Sequence, residues 1–346
     1  MNPNPSLTTE KIGVLVTMQI SDELVALLTE ISPRLKITVL PALKPEEVPA
    51  EVWSNIEVLY TNRVIPAPEA APNLHWIQFH WAGVDHALDA PILRVPGVFA
   101  TTLSGAAASQ MAEYILMMLL AMGHRLPDLV AHQKRAEWPR DRWERFLPLE
   151  LRGATVGIVG YGSIGRQVAR LLKPFGANVL ATKRDAMNPK DTGYIPDEMG
   201  DPEGDLTLRL YPPEALQSMF KECDFVVVTL PKTPRTLNMV GAKEIAALKP
   251  SAFLIDVSRG GIVDHTALIQ ALKDHKIAGA ALDVFPEEPL PAESQLWKLP
   301  NVLLTPHISG NTPYYNERAV ELFAENLQRY VNDLPLYNLI DMERGY

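Results

Sequence analysis

The stretch Gly157-Ile158-Val159-Gly160-Tyr161-Gly162-Ser163-Ile164-Gly165 joins a β-branched run to a helical pattern through Gly-x-Gly-x-x-Gly, and no other segment constrains the fold as much. In such a junction Gly160 allows the tight turn, Gly162 lets backbone N–H groups approach a pyrophosphate, and Gly165 lets the following helix pack on the strand. The helix start then offers unpaired donors and its positive dipole end to the anion. A glycine triplet alone is weak evidence, because ordinary Gly-rich strand-to-helix turns look the same. Here the flanks support it: Thr155–Val159 reads as a buried strand and Arg166–Phe175 as a helix, and Gly176 with Asn178–Ala181 supplies a stop and a second strand. Gly160, Tyr161, Gly162, Ser163, Ile164 and Gly165 are therefore the expected dinucleotide-binding turn.

At 346 residues the chain has room for two domains, each with its own core, and its 47% hydrophobic content is that of an ordinary globular protein. A net charge of −9 offers no basic face for nucleic acid. The single cysteine, Cys223, excludes an intramolecular disulfide framework and fits a reducing compartment. No basic segment followed by an apolar run and a cleavage site opens the sequence, so no signal peptide is expected. The apolar run Tyr114–Met122 is too short to span a bilayer. A cytoplasmic protein without a membrane partner follows as the expectation. The 30 prolines gather in connections such as Pro41–Pro49, Pro66–Pro72 and Pro286–Pro291, which stiffens loops.

Residues 11–102 alternate short apolar runs with helical stretches, at Ile12–Val16, Asp22–Ile31, Lys36–Leu40, Ile56–Tyr60, Leu74–Phe79 and Val98–Ala100, which implies an open and largely parallel sheet. A helix over Ala107–Arg125 follows, apolar nearly all round, with Ser104 or Ser109 as its cap. A second series runs through Thr155–Val159, Val179–Thr182, Phe225–Leu230, Ala252–Val257, Ala280–Asp283 and Val302–Thr305, the six strands of a complete doubly wound domain. An amphipathic stretch, Asn316–Val331, is long enough to return to the first domain. Ala186–Leu210 is longer than the usual connection and reads either as a surface excursion or as a flap near the adenosine or a dimer contact; a helix is expected over Tyr211–Lys221. The resulting division is 1–125 with 312–346, and 126–311.

Three residues each sit just beyond a strand of the second series: Arg259, Glu288 and His307. Ligands of open α/β sheets lie outside the carboxyl ends of the strands. Any one of the three alone would more often be a solvated group; together, beside a nucleotide turn, they form a chemical set.

At these residues the chain resembles the D-isomer-specific 2-hydroxyacid dehydrogenase family. The resemblance is carried by Leu151-Arg152-Gly153, Leu230-Pro231-Lys232-Thr233, Arg259-Gly260-Gly261, Asp283-Val284-Phe285 with Glu288-Pro289, and Thr305-Pro306-His307, and in the first domain by Trp76-Ile77-Gln78, Ala82-Gly83-Val84-Asp85 and Ala112-Glu113. It covers about residues 55–330. The implied architecture is two doubly wound parallel-sheet domains, a Rossmann cofactor domain inserted into a flavodoxin-like substrate domain, in a homodimer. The implied activity is reversible hydride transfer between a nicotinamide and a 2-oxo acid. Arg259 would hold the substrate carboxylate and polarise the C2 carbonyl with its planar fork. Backbone N–H groups of Ala82, Gly83 and Val84 would grip the carboxylate. His307 would be the proton donor and acceptor, oriented by Glu288. Leu230, Pro231, Thr233, Val257, Ser258, Asp283 and Gly310 would line the cofactor, Asp283 binding the carboxamide or else serving as a plain cap. Asp264, Asp185 and Asp224 read as caps. His80 and His86 flank Asp85, but without a third ligand of matching spacing they are not expected to bind metal; His80 and Trp81 read as pocket wall, and Trp138, Tyr314 and Tyr315 as further aromatic candidates.

The end of the second strand reads Thr182-Lys183-Arg184-Asp185, with Lys183 where an NAD-preferring fold carries an acid. Two cations favour a 2′-phosphate, so NADP is the expected cofactor; NAD bound through Asp185 is the alternative. Oxidation of formate or phosphite on the same scaffold, or a non-catalytic nicotinamide sensor, are the competing functions.

Overall fold

In the computed structural model of the chain, which describes residues 11–345, two sheets form and every strand pairing within them is parallel. Parallel strands are covered on both faces, which is why the sequence gives them as unbroken Val/Ile/Leu/Ala runs rather than alternations. The chain divides into two units, one running through Ala106 and resuming at Pro313, the other Ala107–Thr312. Residues 1–10 and 346 of the expected first domain lie outside the described residues.

The first unit holds β1 (Ile12–Val16), β2 (Leu35–Val39), β3 (Val58–Thr61), β4 (Trp76–Phe79) and β5 (Phe99–Thr101) in the order β2-β1-β3-β4-β5, the flavodoxin-like order. The final helix, Tyr315–Val331, packs on it through Phe323, whose ring lies 4.3 Å from Tyr60 and 5.4 Å from Trp76. Its buried Asn326 is satisfied by the Tyr337 N–H at 2.8 Å.

The second unit holds β6 (Thr155–Val159), β7 (Asn178–Thr182), β8 (Arg209–Tyr211), β9 (Phe225–Val228), β10 (Phe253–Asp256), β11 (Gly279–Leu282) and β12 (Val302–Leu304), ordered β12-β11-β10-β9-β6-β7-β8. The strand order reverses between β6 and β9, the topological switch point at which doubly wound sheets bind ligands.

Three expectations need correcting. Arg209–Tyr211 is a seventh strand, paired with β7, so the expected helix begins only at Leu216 and ends at Phe220; three residues are too few to display strand periodicity. The helix Ala108–Gly123 belongs with the second unit, so the boundary falls at 106/107 instead of 125/126. Its Met111, Ile115, Met118 and Met122 join the core formed with Val156, Phe225 and Phe253. A helix apolar on all sides gives no sequence signal of which sheet it covers. Neither Ser104 nor Ser109 caps it; the N-cap is Ala107, with no side-chain bond.

Candidate active site

The glycine turn closes over the end of β6. A Cβ on Gly165 would lie 2.4 Å from the Gly160 carbonyl oxygen and 2.9 Å from Ile158 Cγ2, so only glycine lets the helix Ser163–Leu172 sit this close. A Cβ on Gly162 would meet nothing within 4 Å, leaving open the space in which a pyrophosphate would face the helix start. The turn is braced by the Gly160 N–H to Thr182 Oγ1 at 3.0 Å and by Thr229 Oγ1 to the Gly160 carbonyl at 2.8 Å. Tyr161 is buried, so only its backbone faces the opening, and Ile164 packs into the core beneath Ser163. This donor set fits a dinucleotide.

Beyond β9, Leu230 and Pro231 are partly buried, and Thr233 is locked in a turn in which its N–H donates to Thr236 Oγ1 at 2.8 Å. Beyond β7, Lys183 Nζ donates to the Asn188 carbonyl and, at 3.1 Å, to that of Lys190; Arg184 is exposed. Burial, and then the Arg166 guanidinium, lower the pKa of Lys183. Asp185 accepts from the Met187 N–H at 3.2 Å, a turn contact, and Asp264 caps the helix His265–Lys273. Asp224 accepts from the Thr155 N–H at 2.8 Å and pairs with Lys249, tying β6 to the strand beside it rather than capping a helix.

The loops carrying Arg259 and Glu288 touch. A Cβ on Gly260 would lie 1.8 Å from the Phe285 carbonyl oxygen, so glycine brings the 259–261 turn against the 285–288 loop. Arg259 Nη1 donates to its neighbour's Ser258 carbonyl at 2.8 Å. Glu288 accepts from the Phe285 N–H at 2.9 Å through one oxygen and reaches His307 Nδ1 at 2.7 Å through the other. That contact fixes the ring and leaves Nε2 as its outward nitrogen.

His307 sits at φ 53°, a left-handed conformation that costs an L-residue about 1–2 kcal/mol. The turn is held from below by Asp283, which is fully buried: Oδ1 accepts from Thr305 Oγ1 at 2.6 Å and the Ile308 N–H at 2.9 Å, and Oδ2 from the Ser309 N–H at 2.8 Å. Asp283 thus holds the turn that presents His307. Tyr114 hydrogen-bonds Thr305, and Gln110 Nε2 donates to the Gly310 carbonyl at 3.0 Å, so the helix Ala108–Gly123 buttresses the same turn. Burial pushes the Tyr114 hydroxyl up to about 12.

Sequence reading missed these two supports, because a Gln and a Tyr inside an apolar helix carry no motif. It also missed Asp256, which accepts from the Ser258 N–H at 3.0 Å and from Ser258 Oγ, while its second oxygen has no partner. Burial pushes this carboxyl up to about 7. The Asp-x-Ser spacing was the available signal. Val257 and Ser258 are both buried, so they meet a ligand only through backbone.

In the first unit, Ala82 is exposed, Gly83 half-buried and Val84 buried, and among the described residues no acceptor takes their three backbone N–H groups. His80 Nδ1 pairs with Tyr60 Oη at 2.8 Å, and burial pushes the imidazole down to about 4. Trp81 and Tyr315 face each other at 4.9 Å, and the Tyr315 hydroxyl donates to the His80 carbonyl at 2.8 Å. Trp138 lies in the other unit, 85% exposed, and the Tyr314 ring is exposed with the Arg318 guanidinium 5.7 Å from its centroid. Among the described residues no group of three or more His, Cys, Asp or Glu is placed to hold a metal ion.

Residues 116–309, more than half of the chain, match the family described as D-isomer specific 2-hydroxyacid dehydrogenase, NAD binding domain. The chain belongs to this family. The chain is similar to glyoxylate reductase of Thermococcus litoralis, 35% identical over 80% of this chain and 79% of the relative. It is also similar to D-3-phosphoglycerate dehydrogenase of Methanocaldococcus jannaschii, 31% identical over 96% of this chain, which spans only 60% of that relative's length. Among solved structures it is similar to a D-isomer specific 2-hydroxyacid dehydrogenase of Xanthobacter autotrophicus in complex with NADPH and MES, at 27% identity and a TM-score of 0.77, covering 97% of this chain and all of the other. The NADPH-dependent glyoxylate/hydroxypyruvate reductase of Sinorhizobium meliloti, in complex with NADP and sulfate, matches at 27% identity and a TM-score of 0.75 over 97% and 100% of the two chains.

Proposed function

We propose that this dehydrogenase reduces a 2-oxo acid to the D-2-hydroxy acid, reversibly, with NADPH preferred to NADH. The nicotinamide supplies the hydride in reduction and accepts it in oxidation. The observation that carries the reading is the 2.7 Å Glu288–His307 pair presented beyond the sheet end of a dinucleotide domain. His307 holds the proton at Nε2 and delivers it to the carbonyl oxygen, while Glu288 fixes the ring. Arg259 binds the carboxylate and polarises the C2 carbonyl. The unpaired N–H groups of Ala82, Gly83 and Val84 serve as carboxylate donors. The backbone of residues 160–165, with Leu230, Pro231, Thr233, Val257, Ser258 and Gly310, holds the cofactor; Lys183 and Arg184 meet its 2′-phosphate.

The names of the relatives make glyoxylate and hydroxypyruvate the first acids to test. NADPH consumption at 340 nm with those acids tests the reading, and a preparation that leaves NADPH untouched with every 2-oxo acid refutes it. We further propose a cytoplasmic homodimer. Cys223 is a buried thiol, and Leu126, Leu129, Val130, Trp138, Trp143 and Leu147 expose an apolar surface on one stretch of the second unit, as an interface between copies requires.

A further inference from the structure

Between β7 and β8 the chain leaves the sheet for some two dozen residues, and this segment is bound to the dinucleotide turn. Arg166, the residue after the last glycine, is 1% exposed, and its guanidinium is turned onto the segment. Nη1 donates to the Asp201 carbonyl and Nη2 to the Pro189 carbonyl at 2.6 Å. Nε lies 3.1 Å from Asp191 Oδ2, within ion-pairing range although not aligned as a hydrogen bond. From the same helix Gln167 Oε1 accepts the Gly200 N–H at 2.7 Å, and Arg170 donates to the Gly200 carbonyl at 3.3 Å. The Tyr161 hydroxyl donates to Asp201 Oδ2, beneath an Arg166 guanidinium 4.6 Å from the Tyr161 ring. Asp201 in turn accepts the N–H groups of Gly204, Asp205 and Leu206 at 3.2, 3.2 and 3.1 Å.

Burying a guanidinium is costly unless it is fully partnered. Here nearly all of its partners are main-chain carbonyls and a carboxylate of the excursion, so the segment and the helix start hold each other in one arrangement. The near end of the excursion then supplies the Asn188 and Lys190 carbonyls that receive Lys183 Nζ. An ammonium carries three donors, and two carbonyls fix its position while leaving one. A free lysine loses rotamer entropy on being fixed; one already fixed by carbonyls has lost it before the ligand arrives.

We propose that residues 186–206 are a selectivity clasp for the adenosine end of the cofactor: they preset Lys183 for a 2′-phosphate, and Arg166 and Asp201 are the positioning residues that pin the clasp. The proposal rests on the NADPH reading above. Of the readings the sequence left open, it favours the flap near the adenosine over the surface excursion, because the segment is tied to Tyr161 in the glycine motif and to Arg166 just after it.

The test is calorimetric titration of the intact protein with 2′,5′-ADP and with 5′-AMP, which differ only by the 2′-phosphate. The wild type should bind 2′,5′-ADP more tightly. Asp201→Asn removes an acceptor from the pin and should weaken 2′,5′-ADP by about tenfold while moving AMP less than about twofold. Lys183→Met should lose the same discrimination, and the double variant should lose no more than Lys183→Met alone, because both act through one ammonium. Equal weakening of both nucleotides by Asp201→Asn, or additive losses in the double variant, would overturn the clasp. A Lys183→Met protein that loses discrimination while Asp201→Asn keeps it would overturn the clasp and leave the NADPH reading standing; wild-type indifference between the two nucleotides would overturn both. Should Asp201→Asn fold poorly, Arg166→Lys, which keeps the charge but not the fork, carries the same expectations.

Discussion

Replacing Glu288 by Gln changes almost no volume but alters what His307 can do. Glu288 accepts at both oxygens, from the Phe285 N–H at 2.9 Å and from His307 Nδ1 at 2.7 Å. A glutamine has one acceptor. If it keeps the Phe285 bond, its amide N–H points at Nδ1, which must then accept, and the imidazolium needed to protonate the carbonyl has no partner there. If the amide flips, the Phe285 N–H is orphaned and the 285–288 loop loosens. Hydrogen bonds to charged groups contribute about 1.5–3 kcal/mol. The side chains are 35% and 41% exposed, so solvent screening discounts this toward the lower half. A loss of about 10- to 50-fold in kcat/KM for 2-oxo acid reduction follows, each factor of ten being about 1.4 kcal/mol. Steady-state reduction at saturating NADPH measures it, and NADP+ affinity by calorimetry should stay within about twofold, since Glu288 is not among the cofactor-binding residues. A Glu288→Gln enzyme within about twofold of wild-type kcat/KM would refute the view that this pair delivers the proton.

Gly165→Ala drives a methyl to 2.4 Å from the Gly160 carbonyl and should weaken NADP+ binding by at least about tenfold while the folded protein persists, read by calorimetry and circular dichroism. Arg259→Lys should lose about 100-fold or more in kcat/KM, because a point charge cannot replace a fork that spans carboxylate and carbonyl; near-wild-type turnover would remove Arg259 from the substrate. Asp256 has its folded pKa raised from 3.8 to about 7, so its contribution to stability is complete below pH 3.8 and is lost as pH rises through 7. Asp256→Asn should therefore gain stability relative to wild type between pH 5 and pH 8, by at most about 4 kcal/mol less the cost of a buried amide donor, read by denaturant melts at each pH; a difference independent of pH would mean that Asp256 does not titrate in this range.

Most of the doubly wound sheet could be read from the chain, because β6, β7 and β9 to β12 are continuous apolar runs and Gly160, Gly162 and Gly165 mark the turn. Arg259, Glu288 and His307 were legible as residues just beyond strand ends, and the structure joins the last two directly. What stayed hidden depends on long-range contact. For Asp283 the sequence left a carboxamide ligand and a plain cap both open, because its partners lie more than twenty residues away in the His307 turn. Arg166 carried no signal beyond its place in a helical stretch, because its burial comes from the excursion that folds over it. Helix Ala108–Gly123 could not be assigned to a sheet from a pattern apolar on every face, and with it went the roles of Tyr114 and Gln110.

The central claim, D-specific reduction of a 2-oxo acid by NADPH, is tested most directly by incubating the purified protein with NADPH and, in turn, glyoxylate, hydroxypyruvate, pyruvate and phenylpyruvate. Absorbance is followed at 340 nm, and the chiral products are resolved. The account predicts NADPH oxidation with at least one of these acids, a D configuration at C2 of the chiral products, and slower turnover with NADH. Absence of NADPH and NADH oxidation with all four acids, or an L product, would contradict it.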